Sequence, residues 1–249
     1  MNEISPDGAA AAEALPGVAA AASASMPYEP VLRGRHCLLR PLNAIDRSTL
    51  PSLSRHPAVL QFLHDGFDAE SWCALDTRRH GFYRWAIVPA TGLVTDHGAA
   101  PAAGIVMLFP GRDAFGCNAE LGYWLAPAAW SRGIATEALV LLTAWAWQDH
   151  TELTRLHADI FAGNAASRRV MQKAGFALEG VRRQAAIKSG APIDLWQFAT
   201  YRDTLLPGRV AASLRDPTLR DFGAGATDAT LLLHSSLPVE RSVEPATEV

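Results

Sequence analysis

Ala129-Trp130-Ser131-Arg132-Gly133-Ile134-Ala135-Thr136-Glu137-Ala138 joins a strand-like run at residues 119–125 to the clearest helical pattern in the chain. From Gly133 to about Gln148, the apolar residues Ile134, Ala138, Leu141, Leu142 and Trp145 recur at helical spacing, which predicts a long amphipathic helix. The turn before it, residues 128–133, aims unpaired backbone N–H groups at one point, the positive end of that helix. Phosphate oxygens can bind such a point without any lysine. Gly133 allows a ligand to approach the backbone closely. Taken alone, a glycine at a helix start is more often simply a cap, so the turn acquires meaning from its neighbours.

Outward from this turn, residues 104–109 and 119–125 read as neighbouring antiparallel strands, separated by the turn-rich Pro110-Gly111-Arg112-Asp113. Upstream, a strand is expected at residues 36–40, ending at Pro41. Two helical pieces follow between residues 44 and 63, then a helix at 68–79, a strand at 82–88 and a loop at 89–101. Downstream, Leu156, Ala158 and Ile160 alternate as in a strand, and residues 165–173 form a short helix ended by Gly175, where a left-handed cap costs little. A strand starts at residues 176–179, and another at 193–201 returns beside residues 185–187 through the turn Lys188-Ser189-Gly190-Ala191. This order predicts one mixed α/β domain over residues 31–206. Residues 1–30 read as a flexible Ala/Pro-rich lead-in, and residues 207–249 as a loose extension with one apolar cluster at Leu231 to Leu233.

Composition narrows the function. The chain of 249 residues carries 22 basic and 25 acidic groups, a net charge of −3. All the basic residues except Lys173 and Lys188 are Arg. That balance argues against binding driven by a nucleic-acid backbone. Cys37, Cys73 and Cys117 form no CxxC unit, so free thiols in a reducing compartment are expected. The Ala-rich start has no basic residue before its apolar run, and no long apolar segment suits a membrane span, which predicts a soluble cytoplasmic protein. The GxGxxG and GK[ST] phosphate loops are absent, and no His, Cys or carboxylate spacing suits zinc, so no metal is expected.

Four phrases then stand in order: Glu120-Leu121-Gly122-Tyr123-Trp124-Leu125, the turn quoted above, Asn164-Ala165-Ala166-Ser167-Arg168-Arg169-Val170, and Lys173-Ala174-Gly175-Phe176 with Glu179-Gly180. Together they resemble the GNAT superfamily of N-acetyltransferases, and within it the branch that acetylates ribosomal-protein N termini. The resemblance implies a mixed, strongly twisted sheet flanked by helices and splayed between its central strands to form a CoA cleft. Acetyl-CoA would be the co-substrate, its pyrophosphate held by amides of Ser131, Arg132, Gly133, Ile134, Ala135 and Thr136. Ser131 stands where the family often has Gly, which is workable if its dihedrals stay helical. Asn164 and Ser167 would lie near the pantetheine arm, and both also suit a helix cap.

The implied reaction is direct attack of an amine on the thioester. Glu120 is the expected base, through a water, with a raised pKa if partly buried; the plainer reading is a strand-end carboxylate. Ser167 is the expected proton donor to the leaving thiolate. An oxyanion-stabilising amide is expected near Leu125. Tyr123 either lines the cleft or packs in the core. His64, Asp65, Asp68, Trp72 and Asp194 are the candidates for the acceptor pocket, the acidic ones suiting a cationic amine. The acidic residue that the ribosomal branch commonly carries after its counterpart of Arg182-Arg183-Gln184 is replaced here by Ala185-Ala186. The partner implied is an amine acceptor, either a protein N terminus or a small molecule. A homodimer is compatible, and neither nucleic acid nor a membrane is expected. The alternative is an inactive acetyl-CoA-binding sensor or scaffold.

Overall fold

The computed structural model describes residues 29–90, 94–95 and 98–203. The expected extensions at 1–30 and 207–249 lie outside the described residues, apart from Glu29 and Pro30, which join the domain. The Pro30 carbonyl accepts from the Trp85 indole at 2.9 Å, and the Glu29 carboxylate accepts from Thr77 Oγ1 at 2.9 Å.

Along the chain, β1 (Leu32–Arg33) and β2 (Cys37–Arg40) form a hairpin, followed by α1 (Ala44–Ser54), α2 (Pro57–Leu60), α3 (Ala69–Ala74) and α4 (Thr77–His80). β3 (Tyr83–Pro89) returns to the sheet. The expected loop at 89–101 contains a two-stranded ladder, β4 (Val94–Thr95) with β5 (Gly98–Ala99). Then come β6 (Gly104–Pro110), β7 (Asn118–Leu125), α5 (Ile134–Asp149), β8 (Arg155–Phe161), α6 (Ala165–Lys173), β9 (Ala177–Lys188) and β10 (Ala191–Tyr201). The eight-stranded sheet runs β1-β2-β3-β6-β7-β8-β10-β9, so the fold is the mixed α/β class expected.

Local chemistry explains where the helices start. Asn43, His56, Asp68, Asp76 and Asn164 each cap a helix by accepting from amides of its first turn. Such a cap is worth ~1 kcal/mol. α5 differs: its N-cap is Gly133, at φ 76°, with no side-chain cap. A left-handed φ strains any residue but glycine by ~1–2 kcal/mol. At its far end α6 closes on Gly175, φ 94°, with Phe176 N donating to Met171 O at 3.0 Å.

Two apolar layers sandwich the sheet. On one face α5 and α6 meet Trp85, Ile87, Val106, Leu121 and Tyr123. Every α5 residue from Ala138 to Trp147 is buried, so the helix is covered nearly all round, beyond the amphipathic stripe expected. On the other face Leu50, Val59, Leu63 and Trp72, from the α1–α3 region, pack on Ile105, Met107 and Trp124. The opposite half of that second face is polar: Arg155, His157 and Asp159 of β8 alternate there, out of phase with the buried Leu156, Ala158 and Ile160.

The feature that positions the site is a break in pairing. β6 and β7 pair along their whole length, from Gly104↔Leu125 to Pro110↔Ala119. β7 and β8 are parallel and pair through Asn118↔Arg155, Ala119↔Leu156 and Glu120↔His157, and no further. Beyond Glu120 the sheet splays, while β8 keeps pairing with β10 as far as Leu195↔Phe161. The two segments expected at 176–179 and 185–187 form the single strand β9, whose ladder with β10 is irregular. Gln184 there has φ 49°, and its N–H donates to Asp194 Oδ1 at 2.8 Å.

Candidate active site

The splay opens into a cleft of about 390 Å³ that runs from the start of α5 to Ser167. At the α5 end, Ser131, Gly133, Ile134, Ala135 and Thr136 line it. The amides of Ile134, Ala135 and Thr136 occupy the first helical turn, where no i−4 carbonyl exists, and no side chain caps them. Glu137 N is the first to be paired, to Gly133 O at 3.0 Å. Arg132 belongs to the same turn but does not line the cleft. Ser131 departs from the helical dihedrals expected of it, since its φ is 59°. The turn therefore holds a non-glycine residue in left-handed backbone next to Arg132 and Gly133.

Glu137 secures this end from outside. Its carboxylate accepts from the amides of Arg35, His36 and Cys37 at 2.8, 2.6 and 2.9 Å. A Cβ at Gly34 would lie 2.4 Å from that carboxyl group. The β1–β2 turn and the head of α5 are thereby held together.

Along its middle the cleft follows the open edge of β7. Ala126 N donates to Ala103 O at 2.7 Å, and the two-residue alternation of an antiparallel ladder turns the backbone groups of Tyr123 and Leu125 away from β6, toward the gap. The Leu125 carbonyl there accepts from the Trp130 indole at 2.7 Å. On the opposite wall Asn164 caps α6 by accepting from Ser167 N at 3.0 Å, and it also lines the cleft. Ser167 is 5% exposed and its Oγ donates to the Tyr123 hydroxyl, which donates in turn to the Ser167 carbonyl at 3.1 Å. Burial drives the Tyr123 pKa well up, so the phenol keeps its proton. Tyr123 thus both lines the cleft and packs in the core.

At the far end, Glu120 occupies the last position of β7 that pairs with β8, where the splay begins, and it is not among the residues that line the cleft or the small pocket beside Asp159. Its carboxylate makes no hydrogen bond or ion pair among the described residues. Desolvation raises its pKa to about 8, with the Asp159 charge adding to the rise and Arg182 opposing it. His157, across the ladder, has its pKa lowered to about 4 by burial and then by Arg155, and its buried Nδ1 has no hydrogen-bond partner among the described residues. A neutral imidazole of that pKa is a far weaker base than Glu120.

The five acceptor-pocket candidates do not come together. Asp68 is the N-cap of α3, accepting from Glu70 N, Ser71 N and Ser71 Oγ. Trp72 is 7% exposed and packs edge-on against Phe82 and Phe109 in the core. Asp194 holds the irregular stretch of β9 through Gln184 N. None of these three lines the cleft. Asp65 binds Lys188 Nζ at 2.7 Å and also accepts from Ser189 N, while Lys188 Nζ donates to the Leu60 and Leu63 carbonyls at 3.0 and 2.7 Å. His64 stays local, its Nδ1 3.1 Å from Asp65 O. Asp65 and Lys188 thus fasten the loop after α2 to the β9–β10 turn. Phe62, from that same loop, lines both the cleft and a small pocket beside Asp159.

Sequence reasoning missed Asp159, Arg182 as its partner, and the Lys188 clasp. The polar phase of β8 was a usable signal for Asp159. No local signal reveals that β8 lies parallel to β7. Among the described residues, no group of three or more His, Cys, Asp or Glu is placed to hold a metal ion, and no helix is long and apolar enough to cross a membrane.

The profile of the acetyltransferase (GNAT) domain matches residues 36–177, more than half of the chain. The chain belongs to the GNAT acetyltransferase family. Its GNAT domain is 37% identical over 77 residues to the uncharacterized N-acetyltransferase YoaA of Bacillus subtilis, covering 31% of this chain and 43% of that protein. The chain spans less than half the length of the curated relatives it matches. Among solved structures, the ribosomal-protein-S5-alanine acetyltransferase of Vibrio fischeri superposes with a TM-score of 0.59 at 19% identity, covering 72% of this chain and 100% of that one. RimJ of Mycobacterium smegmatis, in complex with CoA-disulfide, gives 0.58 at 22% identity over 72% and 87%. At those identities the structures establish the GNAT fold.

Proposed function

We propose that this GNAT domain transfers an acetyl group from acetyl-CoA to the α-amine of a peptide or protein by direct attack, with Glu120 as the base. The observation that carries the reading is an unpartnered carboxylate of pKa about 8 at the mouth of a splayed sheet. The cleft fits a long ligand that is anionic at one end: it begins at a bare helix N-terminus, follows an open strand edge and ends at two hydroxyls. Acetyl-CoA would supply the activated acetyl group. The amides of residues 133–136 would hold its pyrophosphate, the β7 edge and Asn164 its pantetheine arm, and an amide near Leu125 the thioester oxygen. Ser167 would donate a hydrogen bond to the departing sulfur, its hydroxyl turning to it from Tyr123.

Proton affinity favours an α-amine. A base of pKa about 8 matches an α-ammonium, whose pKa is about 7.7–8.0. Against a lysine ammonium of about 10.4, the same transfer is uphill by ~3 kcal/mol. YdaF of Bacillus subtilis, which carries a ribosomal N-acetyltransferase name, is among the relatives matched and agrees with a protein N terminus as acceptor. The reading places the reaction in the cytoplasm and needs neither nucleic acid nor a membrane.

The test is thiol release from acetyl-CoA over a panel of N-terminal peptides, polyamines, amino acids and aminoglycosides, with a blank lacking acceptor. Turnover on peptides that is lost in Glu120→Gln supports the reading. CoA binding without release on any amine would favour the sensor or scaffold alternative.

A further inference from the structure

We propose that Asp159 selects a cationic acceptor: it receives the ammonium of the incoming amine in the gap between β7 and β8, beside the carboxylate of Glu120. The inference rests on the acetyl-transfer reading and names the group that recognises the acceptor's charge.

The placement is geometric. Asp159 lines the pocket in which Leu121, Gly122 and Tyr123 of β7 face Ala158 to Phe161 of β8, and the same pocket reaches Asn164 and Ser167. It therefore touches the space where the acetyl cleft ends. Its side chain is 6% exposed and pinned on two sides, by Arg182 Nη1 on Oδ2 and by Gln197 Nε2 on Oδ1 at 3.1 Å. A carboxylate offers about four acceptor positions, so these two partners fix its orientation and leave lone pairs uncommitted. The pocket beside it, about 10 Å³, is one water in size, so the ammonium enters as Arg182 gives way. The Arg182 side chain is 53% exposed, so it has space to shift as the ammonium arrives.

The charges around the gap complement one cation. From β8, Arg155 is paired with Glu179 of β9, which also accepts from the Tyr201 hydroxyl of β10. Arg182 of β9 is paired with Asp159, and His157 is neutral at pH 7. Two pairs cancel, so the gap is neutral while Glu120 of β7 holds its proton, and it carries one negative charge, equal to one ammonium, once Glu120 ionises above about pH 8. Docking on Asp159 brings an ammonium N–H toward Glu120. That bond breaks, the proton ends on the Glu120 carboxylate, and the amine keeps the lone pair it needs to attack. Asp159 also answers the absence noted at Ala185-Ala186, since it supplies a second carboxylate from a different strand.

The experiment compares full-length wild type, Asp159→Asn and Arg182→Gln in initial-rate kinetics. Two acceptors are used: a short peptide with a free α-ammonium, and an arylamine that is uncharged at the assay pH. Asp159→Asn is expected to raise the peptide KM about tenfold. Its KM for acetyl-CoA and its KM for the arylamine should stay within about twofold, any change in kcat being common to both acceptors because the Asp159 charge also acts on Glu120. Arg182→Gln leaves Asp159 unpaired and should move the peptide KM the other way, a change of sign that a role in merely holding strands does not produce. Equal rises in KM for both acceptors, a raised acetyl-CoA KM, or both variants moving the peptide KM upward would each overturn the proposal. Wild type inactive on both acceptors would remove the acetyl-transfer reading and this proposal with it, an outcome distinct from the others.

Discussion

At the α5 end of the cleft the protein offers a ligand its backbone; at the β7–β8 gap it offers side chains. The first surface comes from one short stretch, residues 133–136, whose amides point the same way because a helix begins there. The second is assembled from Glu120, Asp159, Arg182 and Gln197, carried on four different strands. A site made of amides depends on dihedral angles and is indifferent to most side-chain identities. A site made of carboxylates depends on single atoms and on the charges beside them. The two ends should therefore fail differently when altered, and the contrast can be broken from either side.

The largest effect is expected at the side-chain end. Glu120→Gln should lower kcat by ~10²–10⁴ with acetyl-CoA binding intact, read by steady-state kinetics beside a CoA titration. The same substitution should stabilise the fold. The Glu120 pKa rises from 4.5 to about 8 on folding, so the folded state holds the extra proton and stability falls as pH climbs between those values. Thermal melts should show Gln gaining on Glu at pH 8 and not at pH 4.

At the backbone end, Gly133→Val should raise the acetyl-CoA KM about tenfold and leave the acceptor KM alone, because φ 76° strains a branched residue. A Cβ there meets nothing closer than His36 at 3.8 Å, so the loss comes from the backbone. Were the acceptor KM to move instead, the division of labour would be wrong. Lys188→Met cuts the clasp to Asp65, Leu60 and Leu63 and should raise the acceptor KM about threefold, since an exposed ion pair is worth ~0.2–1 kcal/mol. The smallest change is Ser131→Gly, which relieves left-handed strain and should raise the melting temperature by about 2–4 °C.

Much of the backbone end was legible in the sequence, because its signals are local: a helical run from Ile134, a glycine before it, and Asn164 three residues ahead of Ser167. The limits of α6 and the main course of β3, β6, β7 and β8 followed from periodicity in the same way. Ser131 went astray because nothing in a residue's identity declares a positive φ. Most of the side-chain end was illegible for a different reason. Asp65, Asp68, Trp72 and Asp194 are polar or bulky residues in segments that suit an acceptor pocket, yet a clasp, a cap, a core contact and an irregular strand pairing engage them in turn. Asp159 comes near Glu120 because β8 runs parallel to β7 and pairs His157 with Glu120, and no local pattern encodes that register.

The central claim is that Glu120 is the base, and the pH dependence of kcat/KM tests it most directly. The acceptor should be an amine that stays uncharged across the range, so that the enzyme alone titrates and Glu120 takes the proton that the nitrogen sheds once it has bonded to the carbonyl carbon. The account predicts a rate that rises with pH, bends near pH 8 and then levels, with the bend absent in Glu120→Gln. A flat profile from about pH 6 to about pH 10, or a bend that survives the substitution, would contradict it.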